Sequence, residues 1–233
     1  MKEKEVKDLL DKIFIQVFGK TYDYTIDQVK GKFAFSLTLP KEVRDSTTNE
    51  VTYSYSSNSY HFITQTNMSR KDSEEGWMLD KKEFHDLKEV IDVWNQINLL
   101  TTERVYESSN VSKSDTIYSS INVYQSADCR NCKNIIFCES CGDCEDMLAS
   151  KRTATSNYCI CTDDSKDCNN SYLVVCSNKV HHSLFIQDCF NLYECMFCAH
   201  IANKQYCICN MQFTKEEYFK IKEIIIEWIL NSY

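Results

Sequence analysis

The sequence predicts an α+β N-terminal part followed by a β-solenoid (β-helix) and a C-terminal capping helix. Three observations carry that reading: a three-residue rhythm of small and aliphatic residues from Val105 to Cys207, a composition break at about residue 100, and amphipathic helical stripes at both ends of the chain. An α-helix repeats every 3.6 residues and a flat strand every 2, so neither sustains a rhythm of three and six for a hundred residues. Stacked short strands joined by tight corners do.

The predicted organisation has three parts. Residues 1–100 form a small α+β domain of helix, β-hairpin and helix, residues 105–212 the solenoid of six-residue repeats with a Cys/Ser ladder, and residues 213–233 the capping helix. At the start, Val6, Leu9, Leu10, Ile13, Phe14 and Val17 fall on one helical stripe, with Gly19 as a stop signal. Phe33, Phe35, Leu37 and Leu39 alternate up to Pro40, and Val51, Tyr53 and Tyr55 alternate after the polar turn beginning at Asp45, which reads as an antiparallel hairpin. The run Tyr60-His61-Phe62-Ile63 is a candidate third strand. Asp80 and Glu83 have capping-box spacing, and Phe84, Leu87, Ile91, Trp94 and Ile97 mark the expected buried face of a second helix.

From Val105 every third residue is small or aliphatic as far as Cys207, and Lys204 is the one break. Ser108, Ser114, Ser120 and Ser126 alternate with Val111, Ile117 and Val123. Later the assignments swap, with Ser165, Ser171, Ser177 and Ser183 alternating with Val174, Val180 and Ile186. Asn or Asp precedes one of the two registers at Asn110, Asn122, Asp128, Asn134, Asp146, Asn170 and Asp188, residue types that tolerate a left-handed corner. The rhythm is compatible with 12, 18 or 24 residues per coil. After the last coil, Thr214 and Glu217 have capping-box spacing, and Tyr218, Ile221, Ile225, Trp228 and Ile229 form one stripe that would cover the open end.

The fourteen cysteines offer the sharpest chemical hypothesis. Cys129-x2-Cys132 and Cys138-x2-Cys141-x2-Cys144 have the thiolate spacing of zinc and iron–sulfur sites. All but Cys161, Cys176 and Cys209 nevertheless lie on the three-residue register, and Cys132, Cys138 and Cys144 at the phase held upstream by serine, which does not replace a zinc thiolate but fills a similar volume. The register explains the spacing, so no metal ligand or cofactor is assigned. His181, His182 and His200 are the basic partners a nucleophilic cysteine would need, but they read as solvent-facing, as do His61 and His85. Glu74, Glu75, Asp163, Asp164 and Asp167 read as a charged surface rather than acid–base pairs. No phosphate loop, nucleophile elbow or zinc-helix motif is present, so no catalytic or cofactor-binding residue is assigned.

A net charge of −8 and a pI of about 5.2 give no electrostatic reason to approach nucleic acid or anionic lipid. Charges every few positions in the first twenty residues fit neither a signal peptide nor a membrane span, so the expected location is cytoplasmic, in a host cytoplasm or a virion. Asn67 and Asn110 fit the glycosylation pattern only as Asn- and Ser-rich composition.

Cys195, Cys198, Asn203, Lys204, Tyr206, Ile208, Asn210, Phe213 and Thr214 to Tyr218 resemble the closing block of a cysteine-rich short-repeat family of uncharacterised bacterial and phage proteins, often labelled CaiB/BaiF-like. The resemblance is strongest over Cys195–Lys222. It implies a repeat architecture and no known reaction, and the CoA-transferase activity of the label is not carried over. Many relatives begin with paired CxxC motifs, whereas no cysteine precedes Cys129 here. The expectation is a non-enzymatic structural or interaction protein, a phage or virion assembly component with protein partners in an oligomer or larger assembly, and no small-molecule substrate. The alternatives are a metal-binding protein using Cys129 to Cys144, and an acidic mimic of nucleic acid.

Overall fold

The computed structural model describes residues 1–56, 61–71 and 74–232. Its element order is α1 (Glu3–Phe18), α2 (Ile26–Phe33), β1 (Lys41–Arg44), β2 (Val51–Ser54), β3 (Phe62–Thr64), α3 (Gln65–Ser69), α4 (Glu74–Trp77), α5 (Leu87–Ile97) and β4 (Leu100–Thr102). Strands β5 (Val105–Tyr106) through β18 (Ala202–Gln205) then wind the solenoid, and a short pair, β19 (Cys207–Ile208) and β20 (Met211–Gln212), leads into α6 (Lys215–Asn231).

The strand register fixes the coil at 12 residues, because Ile121 pairs with Lys133, Lys133 with Glu145, Glu145 with Asn157 and Asn157 with Asn169, all parallel. About nine such turns are stacked. Each coil has four sides of three residues: one side chain points into the lumen, the next points out, and the third turns the corner. That third residue has a left-handed φ at every step from Glu107 to Cys209, between 44° at Gln125 and 64° at Thr116, and it is never glycine. Corners therefore precede every inward residue, twice as often as the Asn and Asp positions indicated.

A left-handed residue with a side chain costs about 1 kcal/mol or more. Regular backbone pairing offsets it, since corner amides donate to the preceding coil (Gln125 to Ser112, 3.0 Å; Asn131 to Tyr118, 3.1 Å) and strand amides to the following one (Ile121 to Cys132, 3.0 Å). On the corners themselves, Asn110, Asn122, Asn134 and Asp146 form an amide ladder with steps of 2.8, 2.8 and 2.9 Å.

One outward row, repeating every twelve residues, is apolar: Tyr124, Ile136, Leu148, Ile160, Tyr172, Leu184, Met196 and Ile208, all buried except Tyr172, which is half-buried. This row forms a second core with the helices that lie along that flank. Helix α1 contributes the whole predicted stripe plus Phe18, and it ends where Gly19, at φ 75°, donates to Ile15 (2.9 Å). Helix α6 starts on its expected capping box, in which Thr214 and Glu217 exchange hydrogen bonds at 2.9 and 3.3 Å. It buries Tyr218, Ile226, Ile229 and Leu230 in the flank core, with Ile221 and Ile225 partly buried and Trp228 exposed. Tyr24 donates its hydroxyl to Leu230, and Lys20 pairs with Glu227, which ties α6 to the N-terminal helices.

Two expectations for the N-terminal part are corrected. Phe33 ends helix α2, whose capping box at Thr25 and Gln28 starts a turn that buries Val29 and Phe33, so the hairpin's first strand begins only after Pro40 and pairs Lys41 with Ser54. The polar turn at Asp45 joins β1 to β2 as expected, and β3 lies where a third strand was read, although Tyr60 falls outside the described residues. Helix α5 is capped by Asp86, not Asp80, and none of its residues is buried. Its stripe faces solvent, with Leu87 72% and Trp94 54% exposed.

Candidate functional site

The lumen is where the cysteines meet. Every on-register cysteine is buried, while Cys176 and Cys209 are exposed; Cys161 points outward but is half-covered, its thiol directed at the Phe33 carbonyl (3.0 Å). Bulky pairs face each other across the first coils (Ile117 and Val123) with serines on the other two sides, and across the later coils the bulky pair (Val180 and Ile186) has moved to the serine sides. Cys129, Cys132, Cys138, Cys141, Cys144, Cys159 and Cys168 occupy the changeover, while Cys189, Cys195, Cys198 and Cys207 line the last coils. A thiol is intermediate in size between the hydroxymethyl of serine and an aliphatic chain, which lets close packing continue while the bulky pair changes sides.

Volume is not the whole specification. Ser120 donates to Tyr118 (2.7 Å) and accepts the amide of Cys132 in the next coil (3.0 Å), and Ser126 does the same with Tyr124 (2.9 Å) and Cys138 (3.0 Å). Buried serine hydroxyls are thus satisfied by backbone groups of two coils. Cysteine thiols donate only weakly, as Cys132 does to the carbonyls of Arg130 (3.1 Å) and Cys141 (3.4 Å).

Cys129, Cys132, Cys141 and Cys144 do come together, on adjacent sides of two stacked coils. Among the described residues no group of three or more His, Cys, Asp or Glu side chains is arranged to hold a metal ion. Hydrogen bonds from Cys129 and Cys144 hold the Cys132 thiol well below the usual range, and the same bonds together with burial push Cys129 and Cys144 up. Burial also pushes Cys168 up to about 11. Cys132 is 2% exposed, so an external substrate does not reach it. The histidines lie elsewhere, on later coils and outside the lumen. His181 contacts Asn169 (3.2 Å), His182 packs its ring on Tyr193 (5.3 Å), and His200 lies 3.8 Å from Asp188. His85 is exposed and His61 half-buried, while Asp163 and Asp164 are exposed and Asp167 is half-buried.

This geometry predicts a labelling pattern. A small alkylating reagent should modify Cys176 and Cys209 quickly in the native protein and the buried thiols only on unfolding, as mass spectrometry of timed samples would show. Rapid native modification of Cys129 to Cys144 would mean that the lumen opens.

The terminal segments are held by buried carboxylates on the outside of the coils, which the residue pattern did not single out. Asp115 accepts two bonds from the Arg104 guanidinium (both 3.0 Å), one from the Arg104 amide (3.1 Å) and one from the Tyr55 amide (3.2 Å). Glu139 accepts from the Tyr55 hydroxyl (2.7 Å) and the Thr38 amide (3.1 Å), and burial with that carboxylate pushes the Tyr55 phenol up to about 12. Asp146 takes Lys12 (2.9 Å) and Glu194 takes Lys222 (2.7 Å). Within the N-terminal unit, burial acts to raise Asp45. Hydrogen bonds from Thr47, Thr64 and Asn67 outweigh it and hold the carboxyl well below the usual range.

On the flank away from the helices, Tyr106 and Tyr118 stack at 5.0 Å, with Arg130 over Tyr118. Carboxylates form no continuous row there: Tyr106, Tyr118, Arg130, Gly142, Ala154 and Lys166 follow one another at twelve-residue steps. Among the described residues no helix is long and apolar enough to cross a membrane.

Fold and site together define a class, a cysteine-rich β-solenoid with a helical flank. A scan against protein-family models, a search of curated proteins and a search of solved structures each found no match.

Proposed function

We propose that this is a non-enzymatic interaction protein, an assembly component in which the solenoid is a rigid scaffold and the N-terminal α+β part engages a protein partner. The carrying observation is α5, an amphipathic helix whose apolar stripe of Leu87, Val90, Ile91 and Trp94 is exposed, beside exposed Met78, Leu79 and Phe84. A helix with one apolar face ordinarily buries it, and an apolar helix face left exposed marks an interaction site. The closed lumen fits the same reading, because it keeps the eleven on-register thiols away from solvent. A phage or virion assembly is the setting that fits the resemblance of the Cys195–Lys222 block.

Native sizing of the protein from its own source, compared with the Ile91→Asp/Trp94→Asp variant, tests this. The expected result is an assembly-bound wild type and release of the variant, with the far-ultraviolet spectrum unchanged because α5 supports no core. A wild type that runs as an inert monomer, indistinguishable from the variant, would sink the proposal.

A further inference from the structure

Parallel coils have complementary ends. Each coil's lower edge matches the upper edge of the next, so the last coil of one molecule could in principle continue into the first coil of another. Such contact is head-to-tail and does not close on itself, which is the geometry of a filament. Both ends of this solenoid leave part of their strand edge open, although at the start Gln65 accepts the Val105 amide (2.8 Å) and the Met1 amine lies on the Asn110 carbonyl (3.4 Å). At the start, Val105, Ser108 and Val111 are only half-buried and border a cavity of about 400 Å³ reaching to Thr64 and Gln65. At the finish, β18 pairs with the strand above it, Leu192 opposite Lys204, and has no strand below. All four residues of β18 are exposed.

The other side of the last coil is closed. Strand β20 folds back antiparallel on β19, and Gln212 donates to the carbonyls of Gln205 (2.7 Å) and Phe213 (3.1 Å). Because Gln205 is the last residue of β18, the free edge left for pairing is Ala202 to Lys204, and there the inward ladder that runs Ser108, Ser120, Cys132, Cys144, Ser156, Cys168, Val180, Leu192 ends on a lysine. Nothing else in the inward register is charged.

We infer that Lys204 is a stop residue, which keeps the open edge of the last coil from pairing with the first coil of a second copy of this chain. Pairing there would enclose the ammonium between Leu192 of its own chain and Ser108 of the next copy, a site with no carboxylate in any inward ladder. Burying an unpaired charge is among the most unfavourable events in a protein interior, and an inward-pointing charge is a known means of blunting a sheet edge. The exposed ammonium is harmless while the edge is free.

The test is the association state of Lys204→Leu, Lys204→Ser and Lys204→Arg against wild type, by light scattering on a sizing column over a hundredfold range of concentration. Leu and Ser are both residues this ladder already holds. The expected result is that Leu and Ser variants form growing head-to-tail oligomers at concentrations at least tenfold below any at which wild type and the Arg variant do so. Adding Val111→Lys at the opposite end should abolish the gain. If folded Leu and Ser variants associate no more than wild type, Lys204 is not a stop residue. Because the readout is the change relative to wild type and α5 is untouched, the outcome is independent of whether α5 binds a partner.

Discussion

Replacing Asp115 with alanine should lower the free energy of unfolding by about 3 kcal/mol, because it takes a charged acceptor from two backbone amides and from a partly buried guanidinium. The side chain is fully buried and holds four donors: two guanidinium nitrogens and the amide of Arg104, and the amide of Tyr55. The two amides lose a charged acceptor when the carboxylate is gone, the Arg104 guanidinium, 31% exposed, is left to water alone, and Arg104 sits on the link between β4 and the first coil. The check is a guanidinium titration followed both by far-ultraviolet circular dichroism and by tryptophan fluorescence, the tryptophans Trp77 and Trp94 lying in the N-terminal part and Trp228 in α6. A change under about 1 kcal/mol would mean that the pair is dispensable and that the N-terminal unit is fixed to the solenoid by other contacts.

Phe14→Ala should cost a similar amount, about 3–5 kcal/mol, for a different reason. Phe14 is 1% exposed and packs against the rings of Phe18, Tyr24 and Phe33 at 5.8, 6.1 and 5.7 Å. Phe18 and Phe33 in turn contact Tyr172 on the solenoid. The cavity would therefore open in the layer that joins helices to coils. Differential hydrogen exchange should show protection lost in α1, α2 and α6 and retained in the lumen-facing strands, since the flank core and the lumen core are separate clusters. Uniform loss along the coils would show that the solenoid depends on its helices.

Much of the architecture is legible in the residues because a lumen only two side chains across constrains every inward position. Size and polarity there cannot drift, and the rhythm survives even where serine, cysteine and valine exchange places. The coil length was harder to read for the same reason: the inward ladders change identity as they descend, which hides their true repeat. A different row carried it openly. Tyr124, Ile136, Leu148 and Ile160 recur at twelve, one position after the inward register, and they also announce the helical flank. The misplaced hairpin strand came from reading the alternation after Phe33 without the Thr25–Gln28 capping box before it. For α5 the pattern identified a helix and its apolar side, but whether that side meets a neighbour is a tertiary property that periodicity does not contain. The cysteine spacing showed that eleven thiols face the lumen but not which of them share a side, since that depends on the coil length, and the buried carboxylates that fasten the ends carry no motif.

The corner at every third residue makes the molecule a ratchet with two step sizes. Adding twelve residues inserts a whole coil and lengthens the solenoid by one strand spacing, about 4.8 Å, with every later side chain still on its own flank. Adding three keeps inside residues inside, but it turns everything downstream by a quarter revolution and carries Leu184, Met196, Ile208 and α6 itself away from α1. Length is therefore the variable this architecture can change freely, in whole coils, while the angular position of each row is pinned by the helices laid against it.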